Sequence, residues 1–203
     1  FAGQISLAQM TFAGVGGVTA GLVGANLSPL GVFVGVALSA LLGAIIALPA
    51  LRLTGIYLAL ATAASAMFMS AMVFGQEKLM PGKNRQVPPL KLGPLAVNTQ
   101  RQQLLVLAIT FAVVGVGLVA LRRGAWGRRL AAMKDSPVAC ATLGLALSRT
   151  KVGVFTLSAA IAGLAGAVSG KTLVTDQLQL VASMPVTMMA VVGGVGAVGG
   201  ALI

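Results

Sequence analysis

The chain alternates long apolar runs with short polar breaks, and the runs have the length of membrane-crossing helices. Residues 1–51 carry no charge, and Asn26, Ser28 and Pro29 divide them into two predicted helices, 5–25 and 30–51. Each is near the roughly 20 residues that cross a hydrocarbon core. Arg52 marks a water-facing turn, LRLTG. A third helix is predicted at 56–76, closed by Gln76, Glu77 and Lys78. Residues 77–103 form a polar loop whose prolines, Pro81, Pro88, Pro89 and Pro94, forbid a regular helix. A fourth helix follows at 104–121, ended by Arg122 and Arg123, and a fifth at 152–170. The last run, 184–203, is glycine-dense, with GGVGAVGG at 193–200. It reads as a sixth span or a re-entrant segment, since irregular backbone at membrane depth is tolerated where protein or a water cavity covers it. Small residues four apart, Gly17 with Gly21 and Gly31 with Gly35, predict close helix contacts, as do Gly163, Gly166 and Gly170.

Between the fourth and fifth helices lies GRRLAAMKDSPVACATLGLALSRTKVGVF, residues 127–155. Asp135 and Ser136 are residues that cap free helix N–H groups, and Pro137 suits a first helical position. Gly144 stands where a glycine stop belongs. The spacing predicts a stub of about two turns, Val138 to Leu143, between basic flanks of Arg128, Arg129 and Lys134 on one side and Arg149 and Lys151 on the other. A small-residue helix displayed in this way suits docking by a soluble partner at the membrane. Asp135 has two readings, a helix cap or a bond to that partner.

Composition fixes the solvent. Of 203 residues, 58% are hydrophobic and 8% charged, against about 25% charged in soluble domains. The expected fold is therefore all-α: one polytopic transmembrane helical bundle over 1–203, with at least five spans plus the C-terminal glycine-rich segment. The net charge of +11 would suggest nucleic acid in a soluble protein, but the basic residues gather in breaks between apolar runs and lack interleaved aromatics. A lipid surface explains them better. The stretch 122–151 holds seven Arg or Lys against one acid, and 77–103 holds five against one. With Arg52 on the same side as 122–151, the bias predicts that 123–151 is cytoplasmic.

Chemistry is sparse. The acids are Glu77, Asp135 and Asp176, each in a different loop, and histidine is absent. General acid–base catalysis needs groups within reach of one centre, so no catalytic set is expected. Cys140 is the single cysteine, so no metal site and no internal disulfide are expected. Gly194-x-Gly196-x-x-Gly199 matches a dinucleotide fingerprint without its strand, helix and acid, and reads as packing. Gly166–Thr172, GAVSGKT, is one residue short of a phosphate-binding loop. In the first run, Gln4, Ser6, Gln9 and Thr11 are polar within lipid. They serve helix–helix hydrogen bonds or line a solute path. Gly3, Gln4, Ser6, Gln9, Gly193 and Gly194 are the candidate path residues.

Four stretches carry a resemblance: FAGQISLAQMTFAGVGG at 1–17, PALRLTGIYLALAT at 49–62, GRRLAAMKDSPVACATLGLALSRTKVGVFTLSAAIAGLAG at 127–166 and MMAVVGGVGAVGGALI at 188–203. They are similar to permease subunits of ATP-binding-cassette importers of the branched-chain amino acid type, with sugar and urea permeases in the same family. The resemblance implies a multi-pass permease of the bacterial inner membrane, paired with a second homologous permease subunit. It implies two cytoplasmic ATPase subunits that carry the ATP and Mg, with no cofactor in this chain, and an extracytoplasmic solute-binding protein. In such permeases a coupling helix seats on the ATPase. Here that would be Pro137 to Leu143, with Ala139, Cys140 and Ala141 as contacts, Gly144 as its end, Arg128 and Asp135 bracing the neighbouring turn, and Gly127 and Ser136 also in the coupling set. The chain is shorter than such permeases, which implies that an N-terminal span and part of the C-terminus are missing. A membrane enzyme and a non-transporting scaffold are the readings from other classes.

Overall fold

The computed structural model describes residues 6–23, 29–50, 53, 56–77, 84–86, 91–92, 95–96, 100–142, 144–169, 172–174 and 180–192. Among them the α-helices are α1 (Gln9–Val23), α2 (Pro29–Ala50), α3 (Ile56–Met69), α4 (Gln100–Arg123), α5 (Ala125–Asp135), α6 (Pro137–Thr142), α7 (Leu147–Val168) and α8 (Leu180–Val192). A π-helical turn, Ser70–Phe74, extends α3. Among the described residues, four helices are long and apolar enough to cross a membrane: Pro29–Pro49, Tyr57–Phe74, Arg101–Arg123 and Leu147–Val168. The chain is thus a multi-pass helical bundle. The predicted turn at Arg52 and the glycine segment 193–200 lie outside the described residues.

The helical bundle carries two short antiparallel strand pairs outside its helices, and one boundary is corrected. β1 (Asn84–Gln86) pairs with β4 (Thr172–Val174), and β2 (Lys91–Leu92) with β3 (Leu95–Ala96). Prolines keep this region out of helix but leave extended backbone free to pair. The first helix starts at Gln9, not at residue 5. Backbone before it bends out of the helix and is held by hydroxyls: the Leu7 N–H donates to Thr62 Oγ1 (3.1 Å) and the Ala8 N–H to Ser6 Oγ (3.4 Å).

The core is a three-helix crossing of α1, α2 and α7, set by absent side chains. A Cβ on Gly35 would lie 2.6 Å from the Gly16 carbonyl oxygen. One on Gly16 would strike the Gly163 backbone, and one on Gly163 the Ser39 hydroxyl. Gly166 sits equally close to the Ala13 carbonyl. Apolar helices gain little from the hydrophobic effect against lipid tails, so this close van der Waals contact holds them together. Ser39, buried at the crossing, donates its hydroxyl to the Phe12 carbonyl across the α1–α2 contact (3.1 Å).

α4 stands apart. No part of its apolar window is buried. At one end the Gln103 Nε2 donates to the Ser169 carbonyl beyond α7 (2.6 Å). Along its middle an apolar gap of about 300 Å³ separates Leu107 and Phe111 from Leu164 and Val168.

Candidate functional site

At the end opposite the β1–β4 pair, the chain turns from α4 into α5 and α6. Gly124 adopts an extended conformation and breaks the helix after Arg123. α5 then folds back so tightly that a Cβ on Gly127 would collide with the Arg122 carbonyl. Here glycine is required by the close approach itself. α5 is amphipathic, with Arg128 and Arg129 exposed and Leu130 and Met133 buried. The Arg128 Nη1 donates to the Arg123 carbonyl (3.5 Å), placing a cation on the C-terminal carbonyls of α4.

α5 continues through Asp135, which is its last residue. The break falls at Ser136, because a residue before proline is pushed out of the helical region. Ser136 has φ −150° and ψ 93°. Its N–H donates to the Ala132 carbonyl (3.0 Å), and its carbonyl accepts the Cys140 N–H (3.2 Å), so it closes one helix and opens the next. α6 begins at Pro137, as the proline rule predicts, and runs to Thr142. Gly144 has φ +76°. Its N–H donates to the Ala141 carbonyl (3.1 Å) and the Leu145 N–H to the Cys140 carbonyl (3.0 Å). These two bonds make a Schellman stop that needs a left-handed residue.

The stub has an inside and an outside. Cys140 is buried in a cluster with Leu130 and Met133, and Leu145, Leu147 and Val154 pack against it. Ala141 and Thr142 are exposed. Cys140 is thus a bracing residue that ties α6 to α5 and α7. Sequence reasoning missed α5 and this brace. Apolar positions three apart at 130 and 133, followed by 140, were the available signal. Trp126 adds a second tie: its ring edge rests on Gly153 of α7, where a Cβ would meet Cη2 at 2.8 Å.

Of the candidate path residues, two can be placed, and both lie at the start of α1. Gly3, Gln4, Gly193 and Gly194 are outside the described residues. Ser6 and Gln9 are half-buried beside one another at the start of α1. The Gln9 Nε2 donates to the Ser158 hydroxyl of α7 (2.9 Å), a helix–helix bond. Thr11, in the next turn position, is buried and its hydroxyl has no partner among the described residues, and the same is true of Ser183 on α8. Among the described residues no three His, Cys, Asp or Glu gather as a metal site.

Comparison with known proteins follows the same residues. The family model described as "Branched-chain amino acid transport system / permease component" matches residues 1–203. The chain is similar to the high-affinity branched-chain amino acid transport system permease protein LivM of Salmonella typhimurium (strain LT2), 28% identical over 153 residues. That match covers 63% of this chain and 36% of LivM, so the chain spans little more than a third of that relative. No solved structure matches. With its apolar spans, glycine crossing and family match over the whole length, the chain belongs to the branched-chain amino acid permease family of ATP-binding-cassette importers.

Proposed function

We propose that this permease carries branched-chain amino acids across the bacterial inner membrane, driven by two cytoplasmic ATPase subunits that bind ATP and Mg. A second, homologous permease subunit completes the path, and an extracytoplasmic binding protein delivers the solute. α6 is the coupling helix, with Ala139, Cys140 and Ala141 at its centre. The observation that carries this reading is the stub's construction: a small-residue helix, exposed at Ala141, stopped by Gly144 and braced through Cys140 onto α7. A push on its outer face is passed by packed side chains to a helix of the central crossing. Ser6 and Gln9 belong to the solute path in this reading, and the basic flanks hold the loop on the cytoplasmic side.

The test is uptake in vesicles that hold the complete transporter. Ala141→Arg places a long charged side chain on the exposed face, where it costs the fold little. Expected is loss of ATP-driven leucine uptake, with the subunit still inserted and folded. Full uptake by this variant removes the coupling assignment. A pentose and urea, tested in parallel, decide the substrate.

A further inference from the structure

α1 begins inside the span, not at its edge. Gln9, its first residue, bonds Ser158, which lies near the midpoint of α7, roughly 17 Å from the start of that helix at 1.5 Å per residue. The non-helical backbone before it meets Thr62, within the Tyr57–Phe74 span. The first helical bond of α1 is from the Phe12 N–H to the Ala8 carbonyl (3.0 Å). The N–H groups of Gln9, Met10 and Thr11 therefore stand at the helix start with no acceptor among the described residues. The residue in the capping position is Ala8, fully buried, whose methyl accepts nothing.

The second observation is Thr11. It is 1% exposed, and its Oγ1 has no partner among the described residues. Helix geometry tilts its Cα–Cβ bond toward the N-terminus, so the hydroxyl leans to the same end as the free N–H groups. Four donors without an acceptor among the described residues at mid-membrane would be costly if nothing else met them, because no water is there to satisfy them. Aligned peptide dipoles give that end about half a positive charge. α1 carries no basic side chain, so the site suits a small monoanion and would underbind a doubly charged phosphate.

We infer that the start of α1, with the N–H groups of Gln9 to Thr11 and the Thr11 hydroxyl, receives the carboxylate of the transported solute. The inference rests on the amino acid reading above and names the part of the solute that this chain holds. These N–H groups orient the carboxylate along the helix axis. Thr11 then donates the hydrogen bond that its buried hydroxyl makes to none of the described residues.

The test uses the assembled transporter in detergent, without binding protein, and reads the rise in melting temperature with L-leucine or leucinamide. Leucine is expected to stabilise the wild type and leucinamide, which lacks the anionic carboxylate, to do so far less. Thr11→Val, which keeps shape and loses the hydroxyl, should raise the half-saturating leucine concentration on the order of tenfold, as for a hydrogen bond to a charged group. Thr11→Ser should restore it. Equal stabilisation by leucinamide, an unchanged response in Thr11→Val, or no leucine response in the wild type overturns the inference. Vesicle uptake separates the two readings: leucine uptake that survives Thr11→Val unchanged sinks this site alone. Transport of only a pentose or urea sinks both.

Discussion

Residue by residue, the sites that matter most to this fold are those where nothing larger than hydrogen fits. Gly163 stands between the Ser39 hydroxyl and Gly16, at the centre of the crossing. Gly163→Val forces backbones apart and should cost at least about 1–3 kcal/mol, the usual range for overpacking. Gly117 on α4 is the contrast, since a methyl added there would meet nothing within 4 Å. Gly117→Ala should therefore stay within about 1 kcal/mol of wild type, on the stabilising side, because alanine favours helix. Thermal unfolding in detergent distinguishes them, and equal melting temperatures would contradict the crossing. Thr11 and Gln9 show the complementary case. Both are polar in an apolar helix, yet Gln9 is paired with Ser158 and the Thr11 hydroxyl finds no such partner among the described residues.

At the level of elements, α5 and α6 act as one lever. α6 has 6 residues, too few to be stable alone in water. Its shape is imposed by Pro137 at one end, Gly144 at the other, and the Cys140–Leu130–Met133 cluster beneath. Leu130→Ala opens a cavity under the stub without altering its exposed face. In the coupling reading this loosens the brace, so ATP hydrolysis continues while solute moved per ATP falls. Paired measurement of hydrolysis and uptake checks it, and an unchanged ratio shows that Leu130 transmits nothing. The Trp126–Gly153 contact ties the root of the same lever to α7.

For the whole molecule, the division is between a packed centre and a lipid-exposed outrigger. α1, α2 and α7 contact each other backbone to backbone, whereas α4 exposes large side chains such as Val113 and Val116. Val116 is 70% exposed, and an apolar side chain so placed at mid-span needs hydrocarbon around it. A nitroxide at Val116→Cys should be relaxed by oxygen and hardly by a water-soluble nickel chelate. At Arg129→Cys the preference should reverse. Strong nickel relaxation at position 116 would remove α4 from the lipid.

The membrane setting, the helical spans and the α6 stub were legible in the sequence because each depends on local rules. Apolar length specifies a span, proline bars the residue before it from helix, and a left-handed stop calls for glycine. The one-dimensional pattern predicted Gly144 and the start at Pro137 correctly for that reason. It did not show α5 as a brace, since Leu130 and Met133 acquire meaning only against Cys140 and Val154. Nor did it single out Gly16, whose partner Gly163 is far away in the chain, or distinguish Thr11 from Gln9. Tertiary structure decided those points, because steric exclusion and hydrogen-bond pairing between helices depend on which faces meet in space, and spacing along one helix carries no record of its neighbour.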